Sequence, residues 1–494
     1  MPGVTDFGAS ANGNGDHQKT KQDTLHVIDS RTGRYQAIPI RRNAINANEL
    51  RGFKTPKDED RPEDQNEQGL RVYDPGFSNT VVSESKITYI NGLKGEIYYR
   101  GYSIQDIVGK KTFTEISHLL IWGKWPTQEE KTKFQQRLNS VPLPDGSVFQ
   151  VIRSFPKNGS IIGMMIAGLS ALQSCDMDAI PAHAAQNLYM GQPERVDEQI
   201  VRVMSSLSAI TAAAYCHHMD IPFTPPRADF SYIENFLLMV GLVDKQTGLP
   251  IQRYANVLER LWAVVADHEM TCSTAALLHT ASALPDVISC LTSAYCALYG
   301  PLHGGAIEVA YKQIQEIGTI DDIPAKLARV RAGKERLYGY GHRVYRVTDP
   351  RFTFIRDILD ELSEEVSQDP LLCVAFELDR QASQDEYFTA RKLRPNADFF
   401  AALAYKALGF PPEFILPISI LSRTQGLMSH WREAMLGGFI SSGLQDIWKR
   451  VLISAETRAL DIMVRNFSWC TEVVWHCEPT NWRDENYPNI FQGF

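Results

Sequence analysis

Leu258-Glu259-Arg260-Leu261-Trp262-Ala263-Val264-Val265 runs directly into Ala266-Asp267-His268-Glu269. Leu258, Leu261, Trp262 and Val265 stand at i, i+3, i+4 and i+7, one apolar face of a helix. Three ionisable residues then follow at once, ahead of Ser273 and Thr274, where a purely structural helix would not normally put them. The same apolar spacing recurs at Ile200, Val203, Met204 and Leu207. Pro- and Gly-rich breaks separate such segments, as at residues 222–226 and 409–412, and no repeat of fixed period is present. Strand patterns are confined to the N-terminal part. One hairpin is expected over residues 25–40 about a turn at 29–33, and a second over 86–100 about Asn91-Gly92. Residues 53–69 mix charges with two prolines and read as a linker, and residues 1–21 as a disordered tail. The expected fold is mainly α, with a small N-terminal β element.

A chain of 494 residues, 44% apolar and 22% charged, is long enough for two domains and a large core. The net charge of −8 argues against nucleic acid but leaves room for a local basic cleft that takes a phosphorylated ligand. Eight cysteines lie singly, with no CxxC pair, which suits a reducing compartment. Cys216-His217-His218 and His476-Cys477 place adjacent side chains that rarely face one ion, so no metal site is expected. The longest apolar run, residues 161–172, is too short for a membrane span. Asp6, Asp16, Asp23 and Asp29 do not suit a transit peptide, and the terminal residues 491–494 are not a peroxisomal address. A cytoplasmic location is therefore expected.

Three further stretches combine polar groups with Gly or Pro inside helical sequence. In Gly300-Pro301-Leu302-His303-Gly304-Gly305-Ala306 a histidine precedes a new helix. The positive helix end disfavours its protonation, and a neutral imidazole can donate to a developing oxyanion. Gly339-Tyr340-Gly341-His342-Arg343-Val344-Tyr345-Arg346, continuing to Asp349-Pro350-Arg351, offers a second histidine and forked cationic donors for carboxylate or phosphate. It lacks the third glycine of a dinucleotide fingerprint. Arg394-Pro395-Asn396-Ala397-Asp398-Phe399 sets one carboxylate in an apolar context, where desolvation suits it to proton abstraction. His118, His183, His279 and His430 lack comparable company and read as structural.

Taken in order, GPLHGGA, GYGHRVYRxxDPR, PNADF and LSRTQG resemble the signatures of the citrate synthase family, over roughly residues 22–450. The resemblance implies a two-domain, nearly all-α homodimer that needs no metal and no cofactor beyond its acyl-CoA substrate. It implies a large helical domain at 70–303 and 404–494 and a small one at 304–403, after a β-hairpin and linker at 22–69. His303, His342 and Asp398 match the family's catalytic groups. His268, Arg351 and Arg423 match oxaloacetate ligands, and Arg346 a CoA-phosphate contact. The implied reaction joins an acyl-CoA to oxaloacetate, with no nucleic acid or membrane partner.

Three places depart from the pattern. Thr271 stands where the family usually has Asn, and Phe400-Ala401-Ala402 where a bulky residue is followed by Ser-Gly. Lys449 and Arg450 replace a stretch whose arginine reaches the partner subunit. These changes spare the catalytic groups and touch their surroundings, so the acyl group is either acetyl or propionyl, or a longer fatty chain that gives a 2-alkylcitrate. ATP-dependent citrate cleavage would need nucleotide-binding domains that this chain has no room for. A silent paralogue would be expected to lose catalytic groups that here survive.

Overall fold

The computed structural model describes residues 23–54, 69–74 and 79–437. The chain divides into two compact units, one ending at Glu84 and the other starting at Ser85. In the first, β1 (Thr24–Asp29), β2 (Arg34–Arg41) and β3 (Ala44–Ile45) form an antiparallel sheet in that order. Thr24 pairs with Pro39 and Ile28 with Tyr35, so the first hairpin is where the sequence placed it; β3 is an addition. Most of the expected linker, the N-terminal tail, Lys449 and Arg450 lie outside the described residues.

The second unit opens with the expected second hairpin, β4 (Thr88–Asn91) and β5 (Glu96–Tyr99), joined by β6 (Tyr102–Ser103). From there it is helical. The first helices are α1 (Ile104–Ile107), α2 (Phe113–Trp122), α3 (Gln128–Ser140), α4 (Gly146–Arg153), α5 (Ile161–Ser174) and α6 (Pro181–Ala184). They are followed by α7 (Pro193–Met219), α8 (Tyr232–Met239), α9 (Gln252–Val265), α10 (Cys272–Ala281), α11 (Val287–Leu298), α12 (Ala306–Ile317) and α13 (Ile323–Arg331). The last are α14 (Arg351–Glu361), α15 (Ser363–Gln368), α16 (Pro370–Gln384), α17 (Glu386–Ala390), α18 (Ala397–Ala407) and α19 (Pro412–Leu436). Sequence dictates several of the starts. Thr112 with Glu115, Thr127 with Glu130 and Ser231 with Glu234 close reciprocal capping boxes on the first turns of α2, α3 and α8.

The apolar face read on α9 is real: Leu258, Leu261 and Trp262 are fully buried. The Trp262 ring meets Phe113, Tyr232 and Phe236. At the centre lies α19, which packs against α2, α7, α9, α10 and α12 and is buried nearly all round, Ser422, Thr424, Gln425, Ser429 and His430 included. No single helix among the described residues is long and apolar enough to cross a membrane. Gly426 lets α19 approach the end of α9 closely. A Cβ there would lie 2.4 Å from both the Ala266 carbonyl oxygen and Asp267 Oδ1. Gly426→Ala is therefore expected to destabilise the protein by about 1–3 kcal/mol, the usual effect of overpacking. Chemical denaturation checks this, and an unchanged midpoint would contradict the close approach.

Candidate active site

The turn after α9 is pinned at both ends. Glu269 takes the left-handed conformation, φ 56°, which a non-glycine residue adopts only when held. Its N–H donates to Asp267 Oδ2 at 3.1 Å, and its carboxylate accepts the Ile90 N–H from β4. Asp267 is fully buried and pairs with His430 Nε2 at 3.2 Å, so His430 supports the turn, in keeping with its structural reading. His268 is presented from this turn, with Nε2 2.8 Å from the Tyr345 hydroxyl.

His303 lies on the tight link between α11 and α12. Gly304 and Gly305 are required there, since a Cβ would meet Leu298 Cδ2 at 2.4 Å or the Tyr299 carbonyl oxygen at 2.3 Å. His303 Nε2 accepts the Ser273 N–H at 3.3 Å and lies 2.9 Å from Ser273 Oγ, which assigns its ring proton to Nδ1. Burial, followed by the charge of Arg423, pushes its pKa down to about 4. Desolvation and a guanidinium thus join the helix end in keeping this histidine neutral.

The loops carrying His342 and Asp398 are laced together. Tyr340 bridges Pro395, Gly341 N–H donates to the Arg394 carbonyl at 2.7 Å, and Asn396 N–H to the Gly339 carbonyl at 2.9 Å. The Asn396 amide adds a bond to the Gly341 carbonyl at 2.9 Å. Gly339 and Gly341 both have φ near 80°, at 80° and 81°, and pack on Phe399 and Leu393, so their smallness serves this lacing. His342 Nδ1 accepts the Val344 N–H at 3.0 Å and faces the Tyr345 N–H at 3.4 Å, which leaves the ring proton on Nε2. Burial and then Arg351 push its pKa down to about 4.

Arg351 and Asp349 form a buried bidentate pair, Nε–Oδ1 3.0 Å and Nη2–Oδ2 2.7 Å. Asp349 Oδ2 also accepts the Ala397 N–H at 3.1 Å, at the first turn of α18. Burial opposes ionisation of Asp349, yet Arg351 holds it below the usual carboxylate range. Asn396 caps α18 by accepting the Asp398 N–H at 3.0 Å. Burial pushes Asp398 up to about 6 against the pull of Arg351 and Arg423. On α19, Arg423 anchors its Nε on the Val265 carbonyl at 2.7 Å. Among the described residues, Arg351 Nη1 and both Nη atoms of Arg423 make no hydrogen bond to protein.

Two guanidinium groups therefore tie the set together. Arg423 acts electrostatically on His303, His268 and Asp398, and Arg351 on His268, His342 and Asp398. The His268 and His342 rings lie 5.4 Å apart, edge to face. Two imidazole donors and free guanidinium nitrogens with one half-buried carboxylate suit a dianionic keto acid and removal of a weakly acidic C–H proton. A family model described as citrate synthase, C-terminal domain, matches residues 76–440. The chain belongs to the citrate synthase family. It is 69% identical over 415 residues to the citrate synthase-like protein oryE of Aspergillus oryzae, covering 84% of this chain and 93% of that one. It is 38% identical to the alkylcitrate synthase phiJ of a fungal species, covering 84% of this chain and 91% of the relative. A ternary complex of citrate synthase from Thermoplasma acidophilum with carboxymethyl coenzyme A and oxaloacetate matches with a TM-score of 0.64 at 29% identity, covering 72% of this chain and 91% of that one.

The six residues read from the citrate synthase signatures as catalytic or oxaloacetate-binding thus come together. Arg346 lies on the His342 loop, exposed, with its backbone N–H on the Gly92 carbonyl at 2.8 Å. Asp349, Ser273 and Tyr345 stood inside the quoted motifs without a role. Asp349 two residues before Arg351 was the available signal; nothing local marked the other two. Thr271, one of the departures, caps α10 by accepting the Thr274 N–H at 3.3 Å. Asp398 must be ionised to act as a base, whereas His303 and His342 stay neutral down to about pH 4. The rate of CoA release per acyl-CoA, kcat/KM, is expected to fall about tenfold per pH unit below pH 6. A profile flat from pH 7 to pH 5 would contradict the elevated carboxylate.

Proposed function

We propose that this citrate synthase family enzyme condenses oxaloacetate with an acyl-CoA longer than acetyl-CoA, releasing CoA and a 2-alkylcitrate. Asp398 removes the α-proton of the thioester. The developing enolate oxygen meets the Nδ1–H of His303, and losing such a donor typically lowers the rate about a hundredfold or more. The carbon nucleophile adds to the ketone of oxaloacetate, polarised by the Nε2–H of His342; that proton passes to the ketone oxygen, which becomes the tertiary alcohol, and the proton taken up by Asp398 makes good the loss. Arg351, Arg423 and His268 hold the two carboxylates, and Arg346 meets a CoA phosphate. Water then cleaves the new thioester, giving the third carboxylate and the free thiol.

The observation that carries the reading is the paired tautomers. Each catalytic histidine has one ring nitrogen held as an acceptor by a backbone N–H, from Ser273 or Val344, which turns the opposite N–H into a donor. The alkyl length is favoured by two things: a relative that bears the name alkylcitrate synthase, and Ala401 and Ala402. These stand three and four positions after Asp398, on its helix face, where the family pattern has a hydroxyl and a glycine. The proposal includes a homodimer, a cytoplasmic location, no cofactor, and closure of residues 304–403 as a small domain over both substrates to exclude water.

Thiol release with oxaloacetate and acetyl-, propionyl-, hexanoyl- or decanoyl-CoA tests the proposal. Hexanoyl- or decanoyl-CoA is expected to give the highest kcat/KM, and Asp398→Asn to abolish turnover with all four. A strong preference for acetyl-CoA would refute the longer chain. Inactivity of the wild type with every thioester would refute condensation.

A further inference from the structure

Tyr345 is buried between the two histidines of the oxaloacetate site. Its hydroxyl lies 2.8 Å from His268 Nε2, and its ring stands 4.6 Å from His342 and 5.7 Å from His268, centroid to centroid. Its backbone N–H also faces His342 Nδ1 at 3.4 Å. One residue therefore touches both imidazoles, through its side chain on one and its main chain on the other.

We infer that Tyr345 is a positioning residue for oxaloacetate: its hydroxyl fixes the ring of His268 and couples the two protons, so that the pair meets a substrate carboxylate with one defined donor. This rests on the function proposed above. His268 is kept neutral by burial and by Arg351 and Arg423, and so carries a single ring proton. An anion needs a donor pointed at it, and an unsupported imidazole could turn its acceptor nitrogen there instead. The phenol keeps its own proton, because burial raises its pKa well above the ordinary value and Arg351 only partly opposes this. Tyr345 and His268 thus hold two protons between them. With Nε2–H donating to the phenolic oxygen, the phenol O–H is released toward the anion; with the phenol donating to Nε2, the Nδ1–H is. Either order presents one defined donor beside the unpaired guanidinium nitrogens. The same arrangement explains why Tyr345 follows His342 by three residues: the turn that satisfies Nδ1 of one histidine delivers the hydroxyl to the other.

Tyr345→Phe removes the hydroxyl and keeps the ring packing and the backbone N–H. Steady-state kinetics with the best acyl-CoA are expected to show KM for oxaloacetate raised about tenfold, and KM for the thioester within about twofold of wild type. The melting temperature without ligand should stay near the wild-type value, while its rise on adding oxaloacetate alone shrinks. Unchanged KM for oxaloacetate with an unchanged ligand-induced shift would overturn the inference. So would a parallel rise of both KM values with a lowered melting temperature, the mark of a merely structural residue. Tyr345→Leu, which removes the ring as well, must lose at least as much oxaloacetate binding as Tyr345→Phe; tighter binding would also overturn it. Because the oxaloacetate shift is read without turnover, failure of the condensation reading and failure of this inference are distinguishable.

Discussion

The carboxylate of Asp349 sets the geometry on which the site depends. It grips Arg351 with both oxygens and, through Oδ2, the Ala397 N–H at the start of α18. A substrate-binding cation and the helix that carries the base are thereby fixed by one buried group. Such a pair is expensive to desolvate, and removing one partner leaves an uncompensated charge that typically costs about 3–5 kcal/mol. Here the N–H groups of Arg351 and Ala397, each at a helix start, also bond the anion and repay part of that, and Arg351 is oriented so that Nη1 is left for a ligand.

The same charges decide protonation around them. Arg351 and Arg423 sit in a buried region and repel protons from His268, His303 and His342, all of which burial already disfavours as cations. Each neutral imidazole keeps one acceptor nitrogen, bonded to a backbone N–H in His303 and His342, and one donor for a ligand. Asp398 experiences the opposite balance. Burial lifts it and the two arginines lower it, leaving a carboxylate basic enough to accept a proton and still ionised near neutral pH. Without the arginines it would hold a proton more tightly; without burial it would be a weaker base.

Much of this was legible in the sequence. The 3.6-residue spacing of α9 and α7, the Asn91-Gly92 turn, and the clustering of His303, His342 and Asp398 in Gly- and Pro-marked breaks all follow from local chemistry. What was not legible depends on contacts far apart in the chain. The left-handed glycine of the β4–β5 turn is Gly95, φ 71°, and Gly92 is small for a distant reason: a Cβ there would lie 2.2 Å from the Val344 carbonyl oxygen, so the turn seats the loop of His342. Ser273 and His303, and Tyr345 and His268, are pairs that only tertiary structure brings together. The contribution of Arg423 to the His303 shift was out of reach for the same reason, because Arg423 lies 120 residues away along the chain.

The most direct test of this account is the steady-state behaviour of Asp349→Asn, which keeps the shape of the side chain and removes its charge. If one anion holds both Arg351 and α18, KM for oxaloacetate rises about tenfold or more and kcat falls about a hundredfold, two losses from one substitution. Wild-type values for both constants would contradict the claim that this carboxylate organises the site.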